Sequence, residues 1–309
     1  MREDGMTIWV LATMAAGAMM ALAGAAVAQD VAPTQALGRT FDAVNGTAIQ
    51  CPLPQPRPQE VLDRQFETRP QDLDALSEQA AAFFSGDSEV AMAFRARQAE
   101  QFATDWPFRC RYRDANADLA ERNVRPRVVF MGDSITEGWV EADPSFFADN
   151  GYVGRGISGQ SSPQMLARFW QDVVALKPQA VHILAGTNDI GGATGAITED
   201  EYLGTIASMI AIAQANDIAV ILAAMPPMSR LLPRPEFDTR PVVPALNARL
   251  ALLAEEKGVI FVDYFTPLKA PDNAFDPAYA NDGVHPTRAG YAVMEPLAQA
   301  AITAALAQD

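Results

Sequence analysis

After Arg125-Pro126 the chain changes rhythm, and that rhythm limits its possible folds more than any other feature. Short apolar runs, "RVVFMG", "GYVGRGIS", "AVHILAG", "IAVILAAMP" and "GVIFVDYF", alternate with stretches at 161–176, 199–216 and 244–256 whose apolar residues recur every three or four positions. Runs without polar alternation suit strands buried on both faces, and such strands joined through helices form a parallel sheet. The pattern therefore predicts a three-layer α/β/α sandwich around a central parallel sheet of about five strands. Between the fourth and fifth runs, "PPMSRLLPRPEFDTRPVVP" holds too many prolines for a regular helix and reads as a long loop bordering a site. The last segment, "HPTRAGYAVMEPLAQAAITAAL", puts Met294, Leu297, Ala298, Ala301 and Ile302 on one helical stripe. Pro296 lies inside it and is expected to kink or split that helix.

Three stretches make up the chain. Residues 1–28 carry an uncharged run from Gly5 that closes on Ala26-Val27-Ala28, the small-x-small pattern of a signal-peptidase site. The reading is a signal peptide cut after Ala28 and a protein exported to the periplasm or beyond, with no stable membrane insertion after cleavage. The run is also long enough to span a bilayer, so an uncleaved N-terminal anchor is the alternative. Residues 29–124 hold the proline-rich "CPLPQPRPQ", then two helical patterns on either side of Ser85-Gly86-Asp87, which reads as a helical hairpin. Residues 125–309 form the alternating domain.

The chain has two cysteines, Cys51 and Cys110. In an oxidising compartment they read as a disulfide tying the proline-rich segment to the end of the hairpin, the alternative being two thiols that never meet. Neither has the spacing of a metal site. With 38 acidic against 23 basic residues, and no basic tract, the chain is a poor partner for nucleic acid.

Chemistry concentrates in few residues. The chain contains 2 histidines. His182 sits among aliphatic residues in a presumed central strand and reads as structural. His285 sits in "NDGVHPT", a turn-rich loop, three residues after Asp282, where a carboxylate can orient an imidazole as a general base. Ser134 follows the apolar part of the stretch "RVVFMGDSITEGW". It is either an ordinary helix cap or a nucleophile. The sequence there is not the G-x-S-x-G elbow, since Thr136 follows two residues on, and it is not a phosphate loop, since Gly138 is followed by Trp139. "GRGISGQSS" and "LAGTNDIGG" follow the second and third runs, where an open parallel sheet presents its ligand crevice. Gly159, Asn188 and the Ser134 N–H can supply three donors to an oxyanion; a plain turn at Gly159 and a helix cap at Asn188 are the alternatives. Trp139, Arg155 and the loop around Leu231 and Leu232 are candidates for the pocket wall, or simply a core aromatic, a surface charge and a loop.

Together the blocks "MGDSITEGW", "GISGQSSPQML", "LAGTNDI" and "NDGVHPT", in that order, resemble the SGNH hydrolases, also called the GDSL lipase/esterase family. The resemblance spans about Arg125 to Leu306. It implies a flavodoxin-like sheet of strand order 2-1-3-4-5, a catalytic triad of Ser134, Asp282 and His285, and an oxyanion hole of Ser134, Gly159 and Asn188. It also implies ester hydrolysis without metal or cofactor. The substrate expected is a small-molecule or carbohydrate ester, and for an exported, acidic protein the removal of short acyl groups, acetyl first, from carbohydrate leads. A lysophospholipase- or thioesterase-like acylhydrolase is the alternative, and a non-catalytic glycan- or ester-binding module on the same scaffold is the other.

Overall fold

The computed structural model describes residues 59–67, 72–231, 234 and 236–308. The expectations for residues 1–28, the proline-rich segment and Cys51 fall outside them. Five strands, β1 (Val128–Gly132), β2 (Tyr152–Gly156), β3 (Ala180–Leu184), β4 (Ala219–Ala223) and β5 (Ile260–Val262), form one all-parallel sheet in the order β2-β1-β3-β4-β5. The fold is the three-layer α/β/α sandwich that the alternation predicted, and its strand order is the one that the resemblance implied.

The strands are apolar throughout because both faces are covered. Val128 and Phe130 point to one side and Val129 and Met131 to the other, as the two-residue pleat requires. The first side packs on Ile135 and Trp139 of α5 (Ser134–Ala142), Phe146 and Phe147 of α6 (Pro144–Asn150), and Met294 and Ala298 of α12 (Arg288–Leu306). The second packs on Met165 and Phe169 of α7 (Ser162–Asp172), Ile206 and Met209 of α9 (Glu199–Gln214), and Leu250 of α10 (Val242–Lys257). Two short helices, α8 (Thr187–Gly191) and α11 (Phe265–Leu268), follow β3 and β5. Full burial of an aliphatic or aromatic side chain is worth about 1.5–3 kcal/mol, so these two layers dominate the stability of the sandwich.

Pro296 does not split its helix, because α12 runs unbroken through it. The ring lies on the exposed side, where water can satisfy the carbonyl that loses its N–H partner.

Ahead of the sheet lie α1 (Gln59–Phe66), α2 (Leu73–Ser85), α3 (Glu89–Asp105) and α4 (Arg113–Glu121). Asp72 caps α2 and Ser88 caps α3, and Phe83 meets Phe94 across the turn between them with ring centroids 5.7 Å apart. Phe66 of α1 is buried against Tyr291 of α12, and Asp63 pairs with Arg288 at 3.0 Å. The first of these helices therefore rests on the sandwich itself. Among the described residues no helix is long and apolar enough to cross a membrane.

Candidate active site

All four motif blocks lie beyond the carboxyl ends of β1, β2 and β3 and in the loop before α12. β1 stops at Gly132, and Asp133 caps α5 by accepting from the Ile135 N–H at 3.0 Å. Ser134 is thus the first residue of that helix. Its own backbone N–H is one of the donors that a helix start leaves without an intrahelical acceptor.

The loop before α12 brings the other two groups to it. Gly283 has φ +75, a left-handed conformation natural to glycine, and this folds Asp282 back over the next two residues. Asp282 Oδ1 accepts from the N–H groups of Val284 (2.9 Å) and His285 (2.8 Å), and Oδ2 meets His285 Nδ1 at 2.7 Å. His285 Nε2 in turn lies 2.9 Å from Ser134 Oγ. Burial alone would push the Asp282 carboxyl up; the adjoining His285 imidazole and the hydrogen bonds from His285 and Val284 outweigh it and hold the group below its ordinary value. A carboxylate that stays ionised keeps a proton on Nδ1, which leaves the Nε2 lone pair facing the serine hydroxyl. That is the relay needed to take a proton from an attacking alcohol.

The N–H groups of Ser134 and Gly159 are the two backbone donors that the sequence singled out. Gly159 has φ +80, and an added Cβ would meet nothing within 4 Å, so glycine is required here by conformation and not by crowding. Among the described residues none accepts a hydrogen bond from the N–H of Gly159 or of Ser134. Asn188 Nδ2 donates to Gln160 O at 3.0 Å and to Asp133 Oδ2 at 3.2 Å. Its amide would serve an oxyanion by sharing or exchanging the longer of these bonds. Burial pushes the Asp133 carboxyl up to about 6, against the Ile135 N–H and the nearby His285.

Residues that the motifs did not single out complete the frame. Gln160 Oε1 accepts from Arg168 Nε at 2.6 Å, and Asp189 grips the N–H and hydroxyl of Ser162, the latter at 2.6 Å. Gln160 and Ser162 lie in the block "GISGQSSPQML" and Asp189 in "LAGTNDI", but the blocks alone do not show which of their polar side chains meet. Other candidates fall elsewhere. Trp139 is a core aromatic stacked 5.4 Å from Phe146. Arg155 is buried, with Nε 2.9 Å from Asn116 Oδ1 and its guanidinium over the Tyr112 ring at 4.7 Å. Leu231 is buried with Met228, Val284 and partly buried Ile190, next to the blocks that carry His285 and Asn188; Leu232 is not among the described residues. His182 is fully buried, as its strand position predicted. Cys110 is disulfide-bonded and packs on Phe108 and Ile157, and Cys51 lies outside the described residues. Among the described residues no three or more His, Cys, Asp or Glu side chains converge as metal ligands would.

Residues 130–293 match the model of the GDSL-like lipase/acylhydrolase family. A solved GDSL-like lipase from Bacteroides thetaiotaomicron is 45% identical, with a TM-score of 0.62 over 65% of this chain and 100% of that one. A Bacteroides fragilis protein solved as a candidate acylhydrolase is 47% identical, with the same TM-score over 65% of this chain and 99% of that one. An acetylxylan esterase of Geobacillus stearothermophilus is 27% identical over 199 residues, 54% of this chain and 90% of that protein.

Proposed function

The chain belongs to the GDSL-like lipase/acylhydrolase family, and on that premise we propose that it is a serine esterase that removes short acyl groups, acetyl first, from carbohydrate esters. The observation that carries this reading is the unbroken line from the Asp282 carboxylate through His285 to the Ser134 hydroxyl, at 2.7 and 2.9 Å. In this reading His285 takes the Ser134 proton as Oγ attacks the ester carbonyl. The N–H groups of Ser134 and Gly159 and the Asn188 amide hold the oxyanion. His285 then protonates the departing alcohol, and water, activated by the same imidazole, releases the acyl group. The similarity to an acetylxylan esterase supports acetylated sugars as substrate, and the similarity to a GDSL-like lipase supports a lipid ester as the second candidate. An acidic chain is poorly suited to anionic bilayers, which favours the first. An extracellular or periplasmic setting fits a sugar substrate and rests on the signal-peptide reading of residues 1–28.

The test is a series of p-nitrophenyl esters from acetate to palmitate, run beside acetylated xylan and a lysophospholipid, with wild type and Ser134→Ala. Acetate release by wild type alone, falling with chain length, is the expected result. Preference for long chains moves the assignment to a lipid acylhydrolase. Failure to turn over any ester, with no fluorophosphonate label on Ser134, leaves a binding module.

A further inference from the structure

The segment that precedes the sandwich touches the oxyanion loop directly. Glu137 lies one turn after Ser134 on α5, and its Oε2 accepts from both the N–H (2.9 Å) and the hydroxyl of Ser158, the residue before Gly159. Its Oε1 accepts from Arg111 at 2.7 Å, and both side chains are only 11% exposed. Arg111 comes from the stretch between α3 and α4, not from the sandwich. The same stretch holds the loop at two more points. Pro107 O accepts from Gln160 Nε2 at 2.7 Å, and the Tyr112 hydroxyl donates to Gly156 O. Residues 156–160 are thus fastened before and after Gly159 by groups lying 40 or more positions earlier in the chain.

The geometry has a chemical consequence. The direction of the Gly159 N–H is set by the Ser158–Gly159 peptide plane. A carboxylate on the nucleophile's own helix fixes Ser158, so Ser134 and the donor at Gly159 move as one body. Arg111 neutralises that carboxylate where water reaches it poorly; a lone charge in such a place is costly to keep. We propose that Glu137, held by Arg111, is a positioning residue that aims the Gly159 N–H at the reacting oxygen, so that the segment before the sandwich is part of the catalytic apparatus. This rests on the serine-esterase reading above.

The test compares full-length wild type with Glu137→Gln, Ser158→Ala, Arg111→Ala and Arg111→Lys. Misplacement of about 1 Å in such a site costs about 100-fold in rate. Glu137→Gln is therefore expected to lower kcat by about 10- to 100-fold with KM within about twofold. Arg111→Ala should lower it less, and Arg111→Lys should recover part of that loss. Amide hydrogen exchange at Ser158 and Gln160 should quicken in Glu137→Gln while the rest of the sheet keeps its protection. Ser158→Ala retains the Arg111–Glu137 pair and should fold as wild type, with a smaller fall in kcat. A folded Glu137→Gln with unchanged kcat, a loss confined to KM, or unchanged exchange at those two amides overturns the proposal. If wild type hydrolyses no ester, the esterase reading falls, and the exchange data alone decide whether Glu137 fixes the loop.

Discussion

The two histidines occupy neighbouring parts of one sandwich and have opposite chemistry. His182 lies in the middle of β3, stacked 4.6 Å from Phe130, with Nε2 2.9 Å from the Tyr264 hydroxyl. Burial pulls its pKa down to about 3, so it stays neutral, and among the described residues Nδ1 has no hydrogen-bond partner. His285 lies past the sheet edge with a carboxylate at one nitrogen and a hydroxyl at the other, its side chain 17% exposed. The same ring is a core aromatic in one place and, on the esterase reading, a proton carrier in the other. The difference lies in the polar groups that each backbone position brings within reach, and the loop before α12 brings two.

The comparison breaks most sharply at the serine and the loop histidine. Ser134→Ala or His285→Ala should lower kcat by about 10⁴- to 10⁶-fold, whereas His182→Phe should leave it within about threefold. Steady-state kinetics on an active ester decide this, and an equal collapse in His182→Phe would dissolve the distinction. Next in size, Asp282→Asn should cost about 10⁴-fold, because an amide no longer fixes the proton on Nδ1. If kcat falls less than tenfold, the carboxylate has little part in orienting the ring. Asn188→Ala should cost about 100- to 1000-fold in kcat with KM nearly constant, read from the same assay. A change only in KM would make Asn188 a substrate contact instead of an oxyanion donor.

The smallest effect is on stability and concerns His182 alone. Its folded pKa lies below the unfolded value of about 6.5, so between pH 6.5 and about 3 the unfolded chain binds a proton that the native chain does not. Stability from this group is complete above pH 6.5 and falls on acidification, by about 1.4 kcal/mol per pH unit. Asp133 works in the opposite sense. Its folded value of about 6 exceeds the unfolded one, so the native chain gains stability as pH falls from 6 towards 3.8. Urea unfolding of wild type and His182→Phe at pH 7 and pH 5 should show wild type losing more on acidification, by about 2 kcal/mol. Parallel behaviour of the two proteins would mean that His182 carries a proton in the core.

Much of this was legible before any coordinates. Strand runs such as "RVVFMG" are apolar at every position because the sheet is covered on both sides, and that pattern is local in the chain. The four blocks were legible for a related reason: each sits in one tight turn whose geometry needs particular residues, as at Gly159 and Gly283. Contacts between distant segments were not legible. Nothing near Arg155 signals that it is buried on Tyr112 and Asn116, and nothing near Arg111 signals Glu137. Pro296 shows the limit of a rule based on backbone sterics alone. The helix tolerates it because of which side faces water, and the neighbours across the core decide that.

Ser134 and His285 are 151 residues apart in the chain and 2.9 Å apart in space. A polypeptide that extends only as far as β5 contains the proposed nucleophile and oxyanion donors but not His285, the proposed base. On the esterase reading, a chain clipped ahead of Asp282 is therefore expected to be silent. The same separation makes the molecule a natural reporter of its own completion: two fragments divided between β5 and Asp282 should each be inert, and turnover on mixing would measure their reassembly.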